Sequence, residues 1–285
     1  MTACQFLLTE WHFEPSIIAG CAALLAGYWL THRGDLARAA WLVAGVAVIA
    51  LALLSPLDPL ADEYLFSAHM VQHMLLVLVA PPFLLLGITA ADVRAILRVP
   101  ALAASQRVFG NPIIAWTIGT ATLCVWHIPA LYDAALRAQW LHIFEHISFL
   151  GTGTIFWWPV VAPLRAQRLT APAALLYLAA GALAGSVLGI VITFARPGTY
   201  TAYLNPPDTH GILALLRGAW GITPAFDQQL GGLLMWTAGA PVFLLAMLAV
   251  LARWYREPEP DEPAGNRLPG DHEPAAVAAH GVGAR

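Results

Sequence analysis

Seven stretches of this chain are apolar for long enough to cross about 30 Å of hydrocarbon, and that limits what it can fold into. They lie at about 16–32, 39–55, 68–88, 112–128, 141–162, 172–195 and 229–252. Each is bounded by charge or by Pro and Gly punctuation, such as Ser55-Pro56, Asn111-Pro112 and Ala171-Pro172. Only 11% of the residues are charged, against roughly 25% in soluble domains. A water-facing surface of ordinary polarity cannot be built from such a chain, which excludes a cytosolic globular enzyme. Cys4, Cys21 and Cys124 form neither a CxxC nor an even-numbered framework, so no zinc ribbon or disulfide scaffold is written here. The basic residues are all Arg and the formal net charge is −3, so nucleic acid is not an expected partner.

The expected fold class is all-α: a polytopic membrane protein built as a seven-helix transmembrane bundle. Its orientation follows from the Arg residues, eleven of which fall after helices 1, 3 and 5 or in the C-terminal tail. Lys and Arg concentrate in cytoplasmic connections. The pattern therefore places the N-terminus outside and the C-terminus in the cytoplasm of a cell-membrane protein. Residues 1–15 form an extracytoplasmic N-terminus that carries Glu10 and Glu14 and no Arg, unlike a signal peptide. Residues 16–252 form the membrane domain, whose long extracytoplasmic connection (196–228) has the aromatic content of a lid. From 253 to 285 the composition turns to Pro, Glu, Asp and Gly, which reads as a disordered cytoplasmic tail. Gly181, Gly185 and Gly189 repeat at i, i+4, i+8 and leave a flat groove on helix 6. Such a groove suits packing inside the bundle or a homo-oligomer face.

The histidines carry the chemistry. His32 falls in an inside connection, and His272 and His280 in the tail. The other seven face or border the outer leaflet under this topology. Among them, His69 and His73 open helix 3, His127 closes helix 4, and His142 and His146 open helix 5. His69-x3-His73 and His142-x3-His146 are i, i+4 pairs, which stack two imidazoles on one helix face about 6 Å apart. Ionisable groups in a span are costly and mark sites or pathways. The five rings are therefore the expected metal ligands, with Met70, Cys124, Glu145 and Asp227 as additional candidates. Thioether and thiolate beside imidazole favour copper. A carboxylate would suit zinc or iron, or would orient a His ring. Met70, Met74 and Met235 also read as apolar filler, and Cys124 as a small membrane residue. Asp227 enters helix 7 from outside, either as a capping carboxylate or as part of the polar cluster.

Several motifs together resemble one family. His69-Met70-Val71-Gln72-His73-Met74-Leu75-Leu76 is followed by Pro81-Pro82 and Leu84-Leu85-Leu86-Gly87. Trp126-His127-Ile128-Pro129 precedes Tyr132-Asp133, and Leu141-His142-x2-Glu145-His146-x-Ser148-Phe149 comes next. Asp227-Gln228-Gln229-Leu230-Gly231-Gly232-Leu233-Leu234-Met235-Trp236 starts the last helix. Over about 65–250 this is similar to the CtaG-type assembly factors of caa-class cytochrome c oxidases. The resemblance implies a non-enzymatic metallochaperone of the respiratory chain, with oxidase subunits as partners and copper as what it handles. Two alternatives differ in class. A membrane di-iron oxygenase or desaturase would use HxxxH boxes too, but with HxxHH boxes on the cytoplasmic side. A b-type haem protein would join two helices by bis-His ligation. No P-loop or nucleophile elbow is present, so ATP-driven transport and serine hydrolysis lack support.

Overall fold

The computed structural model describes residues 2–31 and 35–256. His32 and the tail from 257 onward, with His272 and His280, lie outside the described residues. Every regular element among the described residues is helical. The longest are α1 (Pro15–Thr31), α2 (Leu36–Leu54), α3 (Phe66–Gly87), α4 (Pro112–Trp126), α5 (Gln139–Val161), α6 (Ala171–Phe194) and α7 (Pro224–Arg256). Each expected apolar run is thus a helix, and α7 runs four residues into the segment read as tail. By length and composition α2, α3, α6 and α7 can each cross a membrane. Pro100–Phe109 and α4 make a fifth if the 79° bend between them is one broken span. The exterior is apolar: Leu176, Leu183, Val191 and Phe194 of α6 all point outward and exposed. A helical surface of this kind is solvated by lipid rather than water.

α3 lies at the centre, against α2, α5 and α7. Half of its apolar window is buried (50%), against 22–33% in the other three spans, so α3 is the helix the others enclose. It is also irregular. Residues Leu75–Val79 widen into a π-turn just before Pro81 and Pro82. Proline has no N–H to donate, so the Val77 carbonyl loses the partner a regular helix would supply at position 81. In hydrocarbon such a group must be satisfied from elsewhere. Trp157 of α5 does so, donating its indole N–H to Val77 O at 3.1 Å. Gly153 makes the approach feasible, because a Cβ there would stand 2.9 Å from the same oxygen. The break in α3 is therefore the place where α5 is fastened to it.

The glycine groove of α6 faces inward at two of its three positions. A Cβ on Gly189 would meet Trp236 N at 2.5 Å, and one on Gly232 would meet Thr193 N at 2.5 Å. α6 and α7 therefore touch backbone to backbone. Gly181 abuts Phe156, and only Gly185 has open space beside it. Nothing in this arrangement supports the homo-oligomer reading.

Candidate metal centre

α3 and α5 both start at the same end of the bundle and run side by side. Their i, i+4 pairs consequently face each other in two layers, one helical turn apart. In the first layer the ring centroids of His69 and His142 are 5.3 Å apart. In the second, His73 and His146 are 5.9 Å apart. Within each helix the two ring centroids are 4.2 Å apart. One nitrogen each from His69, His73 and His146 lie within 4.8 Å of one another, a spacing that one metal ion can span. Asp62, His69 and His142 form a second such triad.

Several features fix this geometry. Asp227 of α7 accepts the N–H of Phe66 (2.7 Å), the N–H of Ser67 (3.1 Å) and the Ser67 hydroxyl (2.5 Å). It caps α3, whose own N-cap residue Leu65 offers no side-chain acceptor, while α7 is capped by Thr223. Asp227 is thus a capping carboxylate for a neighbouring helix, and its oxygens are already engaged. Gln72 spans from α3 to Ala52 O (2.9 Å) and to Asp58 (2.8 Å). Trp126 donates to Ser148, whose hydroxyl donates to Glu145 O, tying the end of α4 to the His-bearing turn of α5.

Buried polar atoms normally have a hydrogen-bond partner. Here His69 Nε2, both ring nitrogens of His73, His142 Nε2, His146 Nε2, both oxygens of Glu145 and Asp62 Oδ1 are buried without one. His73 Nε2 and Glu145 Oε1 lie 3.4 Å apart, with both side chains sealed from solvent. His69 Nδ1 faces the carbonyl of Ala61 at 3.3 Å and the Tyr203 hydroxyl at 3.1 Å. A carbonyl can only accept, so the proton is assigned to Nδ1 and Nε2 is left free for a ligand. Four imidazoles and two carboxylates, all with orphaned atoms in one small volume, form a donor set that fits a transition-metal cation. Burial, with Asp58, Glu145 and Glu63 nearby, pushes the Asp62 carboxyl well above the usual range, and a bound cation would offset that cost.

The remaining expected ligands stand apart. His127 donates from Nδ1 to Leu123 O at 2.7 Å, and its Nε2 meets Met70 Sδ at 3.2 Å. It borders His73 (centroids 5.5 Å apart) but joins neither triad. Cys124 points outward, exposed. Met74 and Met235 line an apolar cleft of about 720 Å³, open mouth included, that His73 also borders.

Sequence reasoning missed Asp62 and the tyrosines. The connection after α6 folds over the cluster, held by Asp133, which accepts from Thr201 N at 3.2 Å and from the Thr201 hydroxyl. Tyr200 then reaches His127 O (2.9 Å), and Tyr203 reaches Ala61 O (2.7 Å) and the Tyr132 hydroxyl (2.8 Å). The one available signal was Asp58-x3-Asp62, a carboxylate pair one turn apart just ahead of His69.

Over residues 22–257 the chain matches the family described as cytochrome c oxidase caa3 assembly factor. It is also similar to uncharacterized proteins of Mycobacterium bovis and Mycobacterium tuberculosis, 25% identical over 281 residues in each case. A third such protein, from Mycobacterium leprae, is 25% identical over 280 residues. The matches with the first two take in 88% of this chain but 40% of the relative, so the chain spans about two fifths of the length of these curated relatives. No solved structure matches it. The family match covers α2 to α7 and every histidine of both triads, and the chain belongs to the cytochrome c oxidase caa3 assembly factor family.

Proposed function

We propose that this protein holds copper as cargo between α3 and α5 and delivers it to cytochrome c oxidase subunits. It acts as a metallochaperone rather than an enzyme, on the extracytoplasmic side of a seven-helix bundle in the plasma membrane. The observation that carries the reading is the set of buried imidazole nitrogens without partners, three of which converge within 4.8 Å. Imidazole also suits zinc and iron; copper is chosen because the family matures an oxidase. Sidedness is supported by the arginines. Arg165, Arg168, Arg253 and Arg256 gather around one recess at the far ends of α5 and α7, away from the histidines. That is the distribution expected of a cytoplasmic face.

In this reading His69, His73 and His146 hold the ion, and Glu145 beside His73 balances its charge. The protein's task is to bind and then release, so no bond of the cargo needs to be made or broken beyond those to its ligands. Metal analysis and an optical spectrum of the purified full chain test the proposal. Wild type should retain copper without a Soret band. His73→Ala and His146→Ala should each lose it while still inserting, with the double variant little worse, because a shared site fails once one ligand is gone. His210→Ala should retain it. A Soret band, or stoichiometric iron with no copper, would overturn the reading.

A further inference from the structure

We infer that Asp62, His69 and His142 form an outer copper station through which the ion passes to and from His69, His73 and His146. The inference rests on the copper reading above and adds the direction of travel. The two triads share His69. With Nδ1 of that ring committed to Ala61 O and Tyr203, only Nε2 remains, and one nitrogen serves one ion at a time. The triads are therefore successive positions rather than a binuclear pair.

Burial orders them. In the inner triad His69 and His73 are buried and His146 alone is half-buried, whereas in the outer one His142 and Asp62 are both partly exposed, at 14% and 34%. His142 Nε2 and Asp62 Oδ1 are 3.6 Å apart and neither has a hydrogen-bond partner. Outside Asp62 the acidic groups continue. His210 bridges Glu10 (2.9 Å) and Glu63 (3.9 Å), and Asp58 holds His12 (3.2 Å), all partly exposed. A cation arriving at this end meets carboxylates first, then one carboxylate with two imidazoles, then three imidazoles. Hard oxygen donors capture any cation weakly, while imidazoles hold copper more tightly. Transfer is a ligand exchange at constant oxidation state: Asp62 and His142 let go as His73 and His146 take hold, and His69 stays bound throughout.

Asp62→Asn tests this without a large folding risk, since Asp62 accepts no hydrogen bond at the orphaned oxygen. The probe is Cu(I), added to the detergent-solubilised full chain and withdrawn with a water-soluble chelator. The expected result is wild-type occupancy at equilibrium, with loading and withdrawal both slowed about tenfold or more, since a charged mouth commonly raises on-rates by that factor. Unchanged rates in Asp62→Asn would overturn the outer station and leave the inner site standing. Complete copper loss in Asp62→Asn, as in His146→Ala, would make Asp62 a ligand of a single site and also overturn the two-step path. Failure of the wild type to retain copper would instead overturn the copper reading itself.

Discussion

Tyr203 and His69 meet at the ring Nδ1, 3.1 Å apart, across 134 residues of sequence. Through this contact the connection after α6 sets the orientation of the one ring common to both triads. Partners of this kind fix the tautomer and tilt of a metal-binding imidazole, and losing them typically costs 10–100-fold in metal affinity. Tyr203→Phe should keep copper stoichiometry while weakening affinity by about that factor, as read by competition with a chelator of known affinity. Unchanged affinity would mean that the hydroxyl merely fills space.

The fastening of α5 to α3 predicts a stability effect with little change in shape. Trp157→Phe keeps an aromatic ring but leaves Val77 O without a donor in an apolar interior. The expected loss is about 1–2 kcal/mol, measurable as a lower denaturation midpoint in detergent. Gly153→Val should cost more, because its Cβ would press on Val77 O and part the two histidine helices.

Asp227 and α3 offer a second handle. Asp227→Ala removes every acceptor that caps Phe66 and Ser67, for an expected loss of about 1–3 kcal/mol. Asp227→Asn keeps one acceptor oxygen and should fall between Ala and wild type. Equal losses for the two variants would show that charge, not hydrogen bonding, is what α3 requires.

His127 separates a ligand from a neighbour. Its Nδ1 donates to Leu123 O, and its Nε2 lies against Met70 Sδ and converges with neither triad. His127→Ala should therefore retain copper at wild-type stoichiometry under conditions where His73→Ala retains none. Copper loss in His127→Ala with normal accumulation would return this ring to the ligand set.

Topology can be tested on a background in which Cys4, Cys21 and Cys124 are replaced. Gln139→Cys, at the histidine end of α5, should react with a membrane-impermeant thiol reagent in intact cells, and Arg98→Cys should not. Labelling at position 98 from outside would reverse the bundle and move the site to the cytoplasmic face.

The helices and the facing His pairs were legible because hydrophobic length and the 3.6-residue period are local properties. The triads were legible but for one residue. His69, His73, His142 and His146 follow from spacing, but Asp62 joins them through the short π-turn Leu60–Tyr64, whose geometry no periodicity announces. Asp227 shows the same limit. Its place at the start of α7 suggested a cap for that helix, yet Thr223 fills that role and the carboxylate crosses to α3. Cys124 was a reasonable candidate by sequence distance from His127, but its side of α4 faces outward. Contacts between helices depend on rotation about each axis, and the sequence of one helix does not report that rotation.

α7 is synthesised after both histidine helices, and it carries the residue that caps the first of them. Until α7 has packed against it, the opening turn of α3 lacks the acceptor for its Phe66 and Ser67 N–H groups. The start of α3 is in this way completed by a segment that leaves the ribosome well over a hundred residues after it, so the two histidine helices can be in place before the turn that opens the first of them is closed.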